Sequence, residues 1–242
     1  MTRAKSGASV KVASYNIHKA IGLDRKRDPE RILTVLHEID ADVVALQEAD
    51  RRFGRRASAL PIDMIDNHGR YVPVQLDTRP DSIGWHGNAV LVRRGVKVLA
   101  TRIVPIPTVE PRGAISVDVE VRGLVLRVVA MHLDLSGIRR RQQVRAILAH
   151  CDECVPPLPT VMMGDLNEWS PDGGALREFA ARGHEVLAPG RSFHTRRPVA
   201  MLDRIVHCGG LSAEACGVHH SATASRASDH LPVWATMTAP HR

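Results

Sequence analysis

Eight polar residues along this chain are of types that suit chemistry on an anion: Asn16, Glu48, His132, Asp165, Asn167, Asp203, Asp229 and His230. Several follow short apolar runs that read as buried strands. Val10 to Ser14 leads to Asn16, Val43 to Leu46 to Glu48, Leu124 to Met131 to His132, and Thr160 to Met163 to Asp165 and Asn167. Polar side chains that close neighbouring strands on one edge of a sheet converge in space. Two or three carboxylates with amide oxygens make a hard-oxygen site, which suits Mg²⁺ or Mn²⁺ better than zinc. A phosphodiester is itself an anion. A divalent cation and hydrogen-bond donors would offset its charge as a nucleophile approaches.

Two short spacings sharpen this reading. In Asp165-Leu166-Asn167, extended backbone would send both polar side chains to one face, one to hold water and the other to orient it or the phosphate. In Asp229-His230, extended backbone would send the two to opposite sides, one toward a metal and one toward the phosphate. His230 then needs a partner to fix its tautomer, and Asp203 is the best candidate. Taken alone, each short motif is more often a turn or a surface residue. The argument rests on the ordered set.

That set resembles the endonuclease/exonuclease/phosphatase superfamily. The matching segments are SYNIH at Ser14 to His18, ADVVALQE at Ala41 to Glu48, HGNAVLV at His86 to Val92 and AMHLD at Ala130 to Asp134. They continue with MGDLNE at Met163 to Glu168, LDRI at Leu202 to Ile205 and SDHLPV at Ser228 to Val233. The resemblance implies an α/β fold in four layers, two packed mixed β-sheets flanked by helices, with the site at one end. It implies Glu48 as main metal ligand, Asn16 beside the metal and Asp229 as an additional carboxylate. It also implies that Asp165 and Asn167 orient water and phosphate, that His132 binds phosphate, and that Asp203 and His230 transfer protons. The histidine segment is followed by LDLSGIRRRQQV, unlike the abasic-site endonuclease branch. The whole is more similar to small bacterial members without added domains.

The elements that must position these residues are legible in outline. Strands apolar on both faces belong inside layered α/β folds. Asp28-Pro29-Glu30 starts a helix, with Ile32, Leu36 and Ile39 on one face. Ser136 is expected to cap a second helix, with Ile138, Val144, Ile147 and Leu148 apolar. Ser170-Pro171 is expected to open a third, with Leu176 and Phe179 inward and Gly183 as its stop. Arg51 to Gly84 reads as loops with one short strand. Residues 1–9 read as a flexible N-terminus and 10–238 as a single catalytic domain.

Composition bounds the rest. Lys plus Arg number 33 against 26 Asp plus Glu, a net charge of +7. That balance suits a phosphate-bearing substrate or nucleic acid. Basic runs at Arg25 to Arg27, Arg51 to Arg56 and Arg139 to Arg141 would attract a nucleic acid or an anionic membrane if they ring the site. Aromatics are only 3%, too few for an obvious base-stacking platform. Arg112 and His194 are candidate substrate contacts; His18 and His86 read as structural. Cys151 and Cys154 form a CxxC pair, but Cys208 and Cys216 lack ligand spacing, so reduced, partly buried thiols are expected. The first ten residues lack a signal-like apolar stretch, and no run approaches the ~20 residues of a membrane span. The expectation is a soluble cytoplasmic monomer. It would hydrolyse phosphate esters with Mg²⁺ or Mn²⁺, on nucleic acid or alternatively on a phospholipid head group or small phosphoester. A non-catalytic binding module is the third reading.

Overall fold

The computed structural model describes residues 8–50, 57–76, 82–108 and 112–239. The basic run at Arg51 to Arg56 and most of the N-terminal segment lie outside them. The first strand, β1, spans Ser9–Asn16 and pairs with its neighbour from Ser9 onward, one residue earlier than the sequence suggests.

Two mixed sheets form the centre. In the first, β1 lies between β13 (Val233–Thr238) and β2 (Val43–Gln47); β12 (Ser212–Val218) flanks β13. Beyond β2 come β5 (Asn88–Arg93) and β3 (Tyr71–Pro73), with the short β4 (Gly84–Trp85) also on β5. The second sheet runs β10 (Glu185–Leu187), β11 (Asp203–Cys208), β9 (Thr160–Asp165), β8 (Leu124–His132), β7 (Gly113–Val121) and β6 (Lys97–Val104). β1 and β2 are parallel, as are β8 and β9; the other pairs are antiparallel.

The layers follow from which face of each strand is apolar. Val10, Val12, Val43, Val90, Val117, Val128, Val161 and Ile205 fill the space between the sheets. Alternate residues of the first sheet, such as Ala13, Tyr15 and Val44, turn outward onto helix α1 (Pro29–Ile39) and its neighbours α2 (Ile62–His68) and α5 (Ala224–Ala227). The outer face of the second sheet packs on α3 (Gly137–Glu153) and α4 (Gly174–Ala180). Strands covered on both faces must be apolar on both, and the four-layer sandwich expected from the sequence is the fold observed.

The helix starts show where local rules hold and where they fail. Asp28 caps α1, its side chain accepting from the Arg31 amide, with Pro29 in the first turn; such a cap contributes roughly 1 kcal/mol. Ser136 occupies the N-cap position of α3 without a side-chain hydrogen bond. Asp134 accepts from the Ser136 amide instead. Val144, Ile147 and Leu148 are buried, but Ile138 is 71% exposed. α4 begins at Gly174, after a turn in which the Gly173 amide donates to Ser170, so Ser170-Pro171 precedes the helix without opening it. Leu176 and Phe179 point inward as expected. Within the stretch expected to be loops, α2 forms. It buries a single residue, Ile65, too few apolar positions to leave a periodic signal.

One buried ion pair had no sequence signal. Asp118 of β7 faces Arg127 of β8 in register, and Arg127 is 1% exposed. Nε donates to Oδ1 at 2.7 Å and Nη2 to Oδ2 at 3.1 Å; Arg102 adds a third bond at 2.9 Å. Burial pushes the Asp118 pKa up, but the two guanidiniums win and hold it below its ordinary value. Breaking a buried pair strands the partner charge at ~3–5 kcal/mol. Asp118→Ala, which strands Arg127, is expected to lose stability on that scale. Arg127→Met should lose less, because Arg102 still satisfies Asp118. Urea unfolding of both variants tests the order, and equal losses would show that Arg127 does not depend on this carboxylate.

Candidate active site

The strands run to the polar residues and end on them. β1 ends at Asn16, β8 at His132, β9 at Asp165, and β11 starts at Asp203. Strand register then does the assembling. His132 pairs with Asp165 across β8 and β9, and Asp203 pairs with Asp165 across β11 and β9, so the three lie in one row. Asn16 arrives from the other sheet, and its Nδ2 donates to Asp165 Oδ2 at 3.0 Å. The site therefore straddles the seam between the sheets.

Asp165 is the centre. It is 2% exposed, and burial alone would raise its pKa. His230 and His132 outweigh that cost and hold it far below the usual carboxylate range. His132 Nε2 lies 3.4 Å and His230 Nε2 lies 3.7 Å from its Oδ2. The Asn167 amide donates to its Oδ1 at 2.9 Å.

His230 sits between two carboxylates. Its Nδ1 faces Asp203 Oδ2 at 2.9 Å, so the pairing read from the sequence is present. Burial would lower the His230 pKa, but Asp203 and then Asp165 raise it to about 10. Asp203 is fully buried, and burial pushes its own pKa up. Each partner thus favours keeping a proton. We place it on the imidazole, which faces an acceptor at both nitrogens, whereas Asp203 also accepts from the Ser192 hydroxyl. Among the described His, Cys, Asp and Glu residues, Asp165, Asp203 and His230 are the one group of three whose side-chain ligand atoms lie within 4.8 Å of one another. With Nδ1 turned to Asp203, His230 is engaged in this hydrogen-bonded pair.

The oxygen donors better suited to a divalent cation lie one step away. Glu48 follows β2, beside the end of β1, and adopts φ 52°. Its carboxylate, although burial raises its pKa, is held below the ordinary range chiefly by Lys19, whose ammonium contacts Oε2. The Lys19 ammonium thus already offsets the charge of Glu48. Asn16 Oδ1 accepts from the His18 amide at 3.1 Å and keeps a second lone pair. Asp229 Oδ1 accepts from the Ser228 hydroxyl at 3.3 Å and lies 3.9 Å from His18 Nδ1. Glu48, Asn16 and Asp229 together offer the hard oxygens that could hold Mg²⁺ or Mn²⁺.

The two candidate substrate contacts divide. Arg112 Nη1 lies 3.0 Å from His132 Nδ1 and also contacts Nε2, so this arginine reaches the site. His194 stays at the rim. Its Nδ1 accepts from the Arg196 amide in its own loop, and its ring lies edge-on to Phe193. Asn167 is placed differently from the sequence expectation. β9 ends at Asp165, and Asn167 adopts φ 50° in a turn closed by its own amide, with Nδ2 donating to the Leu133 carbonyl at 2.9 Å.

Sequence reasoning missed Lys19 and the clamp formed by Arg140 and Glu168. Arg140 is buried, within a basic run expected to face an anionic partner. It donates to the Asp134 and Leu135 carbonyls and to Glu168 Oε1 at 3.2 Å. It thereby ties the loop after His132 to the loop after Asp165. The only advance signal was the position of Glu168 inside MGDLNE. The CxxC thiols stay apart from all this. All four cysteines are free, and burial pushes Cys151 up to about 12.

The model of the Endonuclease/Exonuclease/phosphatase family matches residues 13–230. The chain belongs to that family. Family membership makes it a phosphoester hydrolase in general terms. The uncharacterized protein YbhP of Escherichia coli K12 is 26% identical, over 95% of this chain and 96% of its own length. Among solved structures, an endonuclease/exonuclease/phosphatase from Bacteroides vulgatus superposes with a TM-score of 0.75 at 17% identity, covering 96% of this chain and all of that one. D. rerio TDP2 complexed with a single-strand DNA product superposes at 0.68 and 18% identity, covering 96% and 99%. At these identities the structures speak for the endonuclease/exonuclease/phosphatase fold alone. No helix among the described residues is long and apolar enough to cross a membrane.

If Asp203 and His230 act as one unit, His230→Ala and Asp203→Asn should each lose ~10²–10⁴ in phosphodiester hydrolysis. The double variant should be little worse than the worse single one. Circular dichroism should show the fold retained. Losses that multiply in the double variant would mean the two residues act independently.

Proposed function

We propose that this chain is a metal-dependent phosphodiesterase whose catalytic unit spans residues 10–238. The observation that carries the reading is the convergence of Asn16, His132 and His230 on the carboxylate of Asp165 at the seam between the sheets. A bound Mg²⁺ or Mn²⁺ on Glu48, Asn16 and Asp229 would supply Lewis-acid stabilisation of charge on the phosphate.

The chain's own residues do the rest. Asp165 stays anionic and orients a water against the phosphorus. Its Oδ2 accepts from Asn16, which fixes the carboxylate plane. His132 and Arg112 present N–H donors to the non-bridging phosphate oxygens, and the Asn167 amide group lies beside them. With Nδ1 accepting from Arg112, the one N–H of His132 is at Nε2; it lies 3.4 Å from Asp165 and is the donor offered to a phosphate oxygen bound there. His230 holds the proton at Nε2, close to where charge develops, while Asp203 fixes the ring from behind. Donors arranged in advance around developing charge lower the barrier because they need no reorganisation.

Nucleic acid is the first substrate class to test, since the D. rerio TDP2 structure carries a single-strand DNA product. Hydrolysis of bis(p-nitrophenyl) phosphate and of single-stranded oligonucleotides should vanish with chelator and return with Mg²⁺ or Mn²⁺. Glu48→Gln should raise the metal concentration needed for half-maximal rate. Lys19→Met should lower it, because the competing ammonium is gone. Full activity in a preparation verified to be metal-free would end the metal reading; no hydrolysis across a broad phosphoester panel would favour a binding module on the same fold.

A further inference from the structure

The described residues include eight large apolar side chains that stand exposed, and four of them surround the mouth of the site: Leu135 (61%), Ile138 (71%), Trp169 (60%) and Val199 (55%). They come from the loop after His132 and the first turn of α3, from the loop after Asp165 and from the segment before β11, and these touch. Arg140 binds both the Leu135 carbonyl and Glu168, the residue before Trp169. The Trp169 ring lies edge-on to Phe193 with centroids 5.8 Å apart, and the Val199 amide donates to the Phe193 carbonyl at 2.7 Å. Phe193 in turn packs on His230 at 4.8 Å. The apolar rim is therefore continuous with the catalytic histidine.

Exposed Arg177 and Arg197 stand among these side chains. Arg177 lines an open cleft of about 590 Å³ together with Ile138, and Asp172 is an exposed acid in the same cleft. The whole chain carries +7. Large apolar side chains grouped at a functional edge mark an interaction surface. Aliphatic tips with a tryptophan and flanking arginines are the chemistry of a membrane interface: the apolar groups enter the acyl boundary and the cations meet anionic head groups.

We propose that this rim docks the protein on an anionic phospholipid surface, with the active site facing the head groups. Single-stranded nucleic acid fits less well. Binding to it draws on several aromatic platforms, whereas Trp169 is the one aromatic ring among the four exposed rim side chains and Leu135, Ile138 and Val199 offer none. The docking does not depend on catalysis, so it stands or falls apart from the proposed hydrolysis.

The test is co-sedimentation of the full chain with vesicles of phosphatidylglycerol and phosphatidylcholine, beside phosphatidylcholine alone. The wild type should partition onto the anionic vesicles, and rising salt should weaken it. A Leu135→Ser/Ile138→Ser variant, altered only at exposed positions, should lose roughly tenfold or more in partitioning. It should hydrolyse bis(p-nitrophenyl) phosphate at the wild-type rate. Arg177→Gln/Arg197→Gln should weaken partitioning and flatten its salt dependence. The proposal is overturned if the wild type ignores anionic vesicles or if the Leu135/Ile138 variant binds them equally well. It is also overturned if that variant loses oligonucleotide binding or self-association while vesicle binding is unchanged. Vesicle binding by a protein that hydrolyses no phosphoester would overturn the catalytic reading and leave the docking standing.

Discussion

A carboxylate as deeply buried as Asp165 stays anionic only if donors converge on it from every side. This one requirement organises much of the molecule. Asn16 must come from the first sheet, His132 from β8 and His230 from the segment after α5, while Asp203 holds His230 from β11. None of these donors is close to Asp165 in sequence; Asn16 is 149 residues away. The two sheets must therefore be packed, and β8, β9 and β11 in register, before the anion is tolerable. Most of the cost of burying the charge is carried by the fold. When substrate arrives, little reorganisation remains.

The same economy explains the backbone around the site. His18, Lys19, Glu48 and Asn167 all have φ between 46° and 57°, a region that side-chain-bearing residues seldom adopt. Each lies one to three residues past the end of a strand. Extended chain would carry those side chains onward, away from the seam. A left-handed residue reverses the chain at once, and the side chain points back over the strand ends. Strain of this kind persists where surrounding contacts over-determine it. Here they do: the Lys19 amide donates to the Glu48 carbonyl at 3.1 Å, and the Asn167 amide to Asp165.

That geometry also marks how far the sequence could be read. The strand ends were legible because a buried strand followed by one polar residue is a local pattern, and the ordered motifs fixed which sheet edge they share. The Asp203–His230 pair was legible because a histidine of this kind needs a partner to fix its tautomer. What escaped was set by distance or by single residues. Asp118 and Arg127 face each other only through hairpin register. Lys19 reaches Glu48 through a turn that no propensity reports. Asn167 looked like the next residue of a strand, since nothing in Asp165-Leu166-Asn167 says where the strand stops. α2 had one apolar anchor and so no period.

Ile138 is the case where the signal was present and pointed the other way. The buried stripe of α3 runs through Arg140, Gln143, Val144, Ile147 and Leu148. At ~100° per residue, Ile138 lies roughly 120° around the helix from Val144, six residues on, and so falls outside that stripe. Arg140 takes the inward place instead, because it must hold the loops after His132 and Asp165 together. The residue type alone suggests core; the period places it at the surface. An arginine inside and an isoleucine outside, two positions apart, invert the usual pattern at the edge where the loops after His132 and Asp165 emerge. The inward arginine fixes those loops to one another. The outward isoleucine at the start of α3, with Leu135 and Trp169 on those loops and Val199 on the segment before β11, leaves this edge apolar at its surface. Rigid positioning of the site and an apolar rim around it thus arise from one local exchange of polarity.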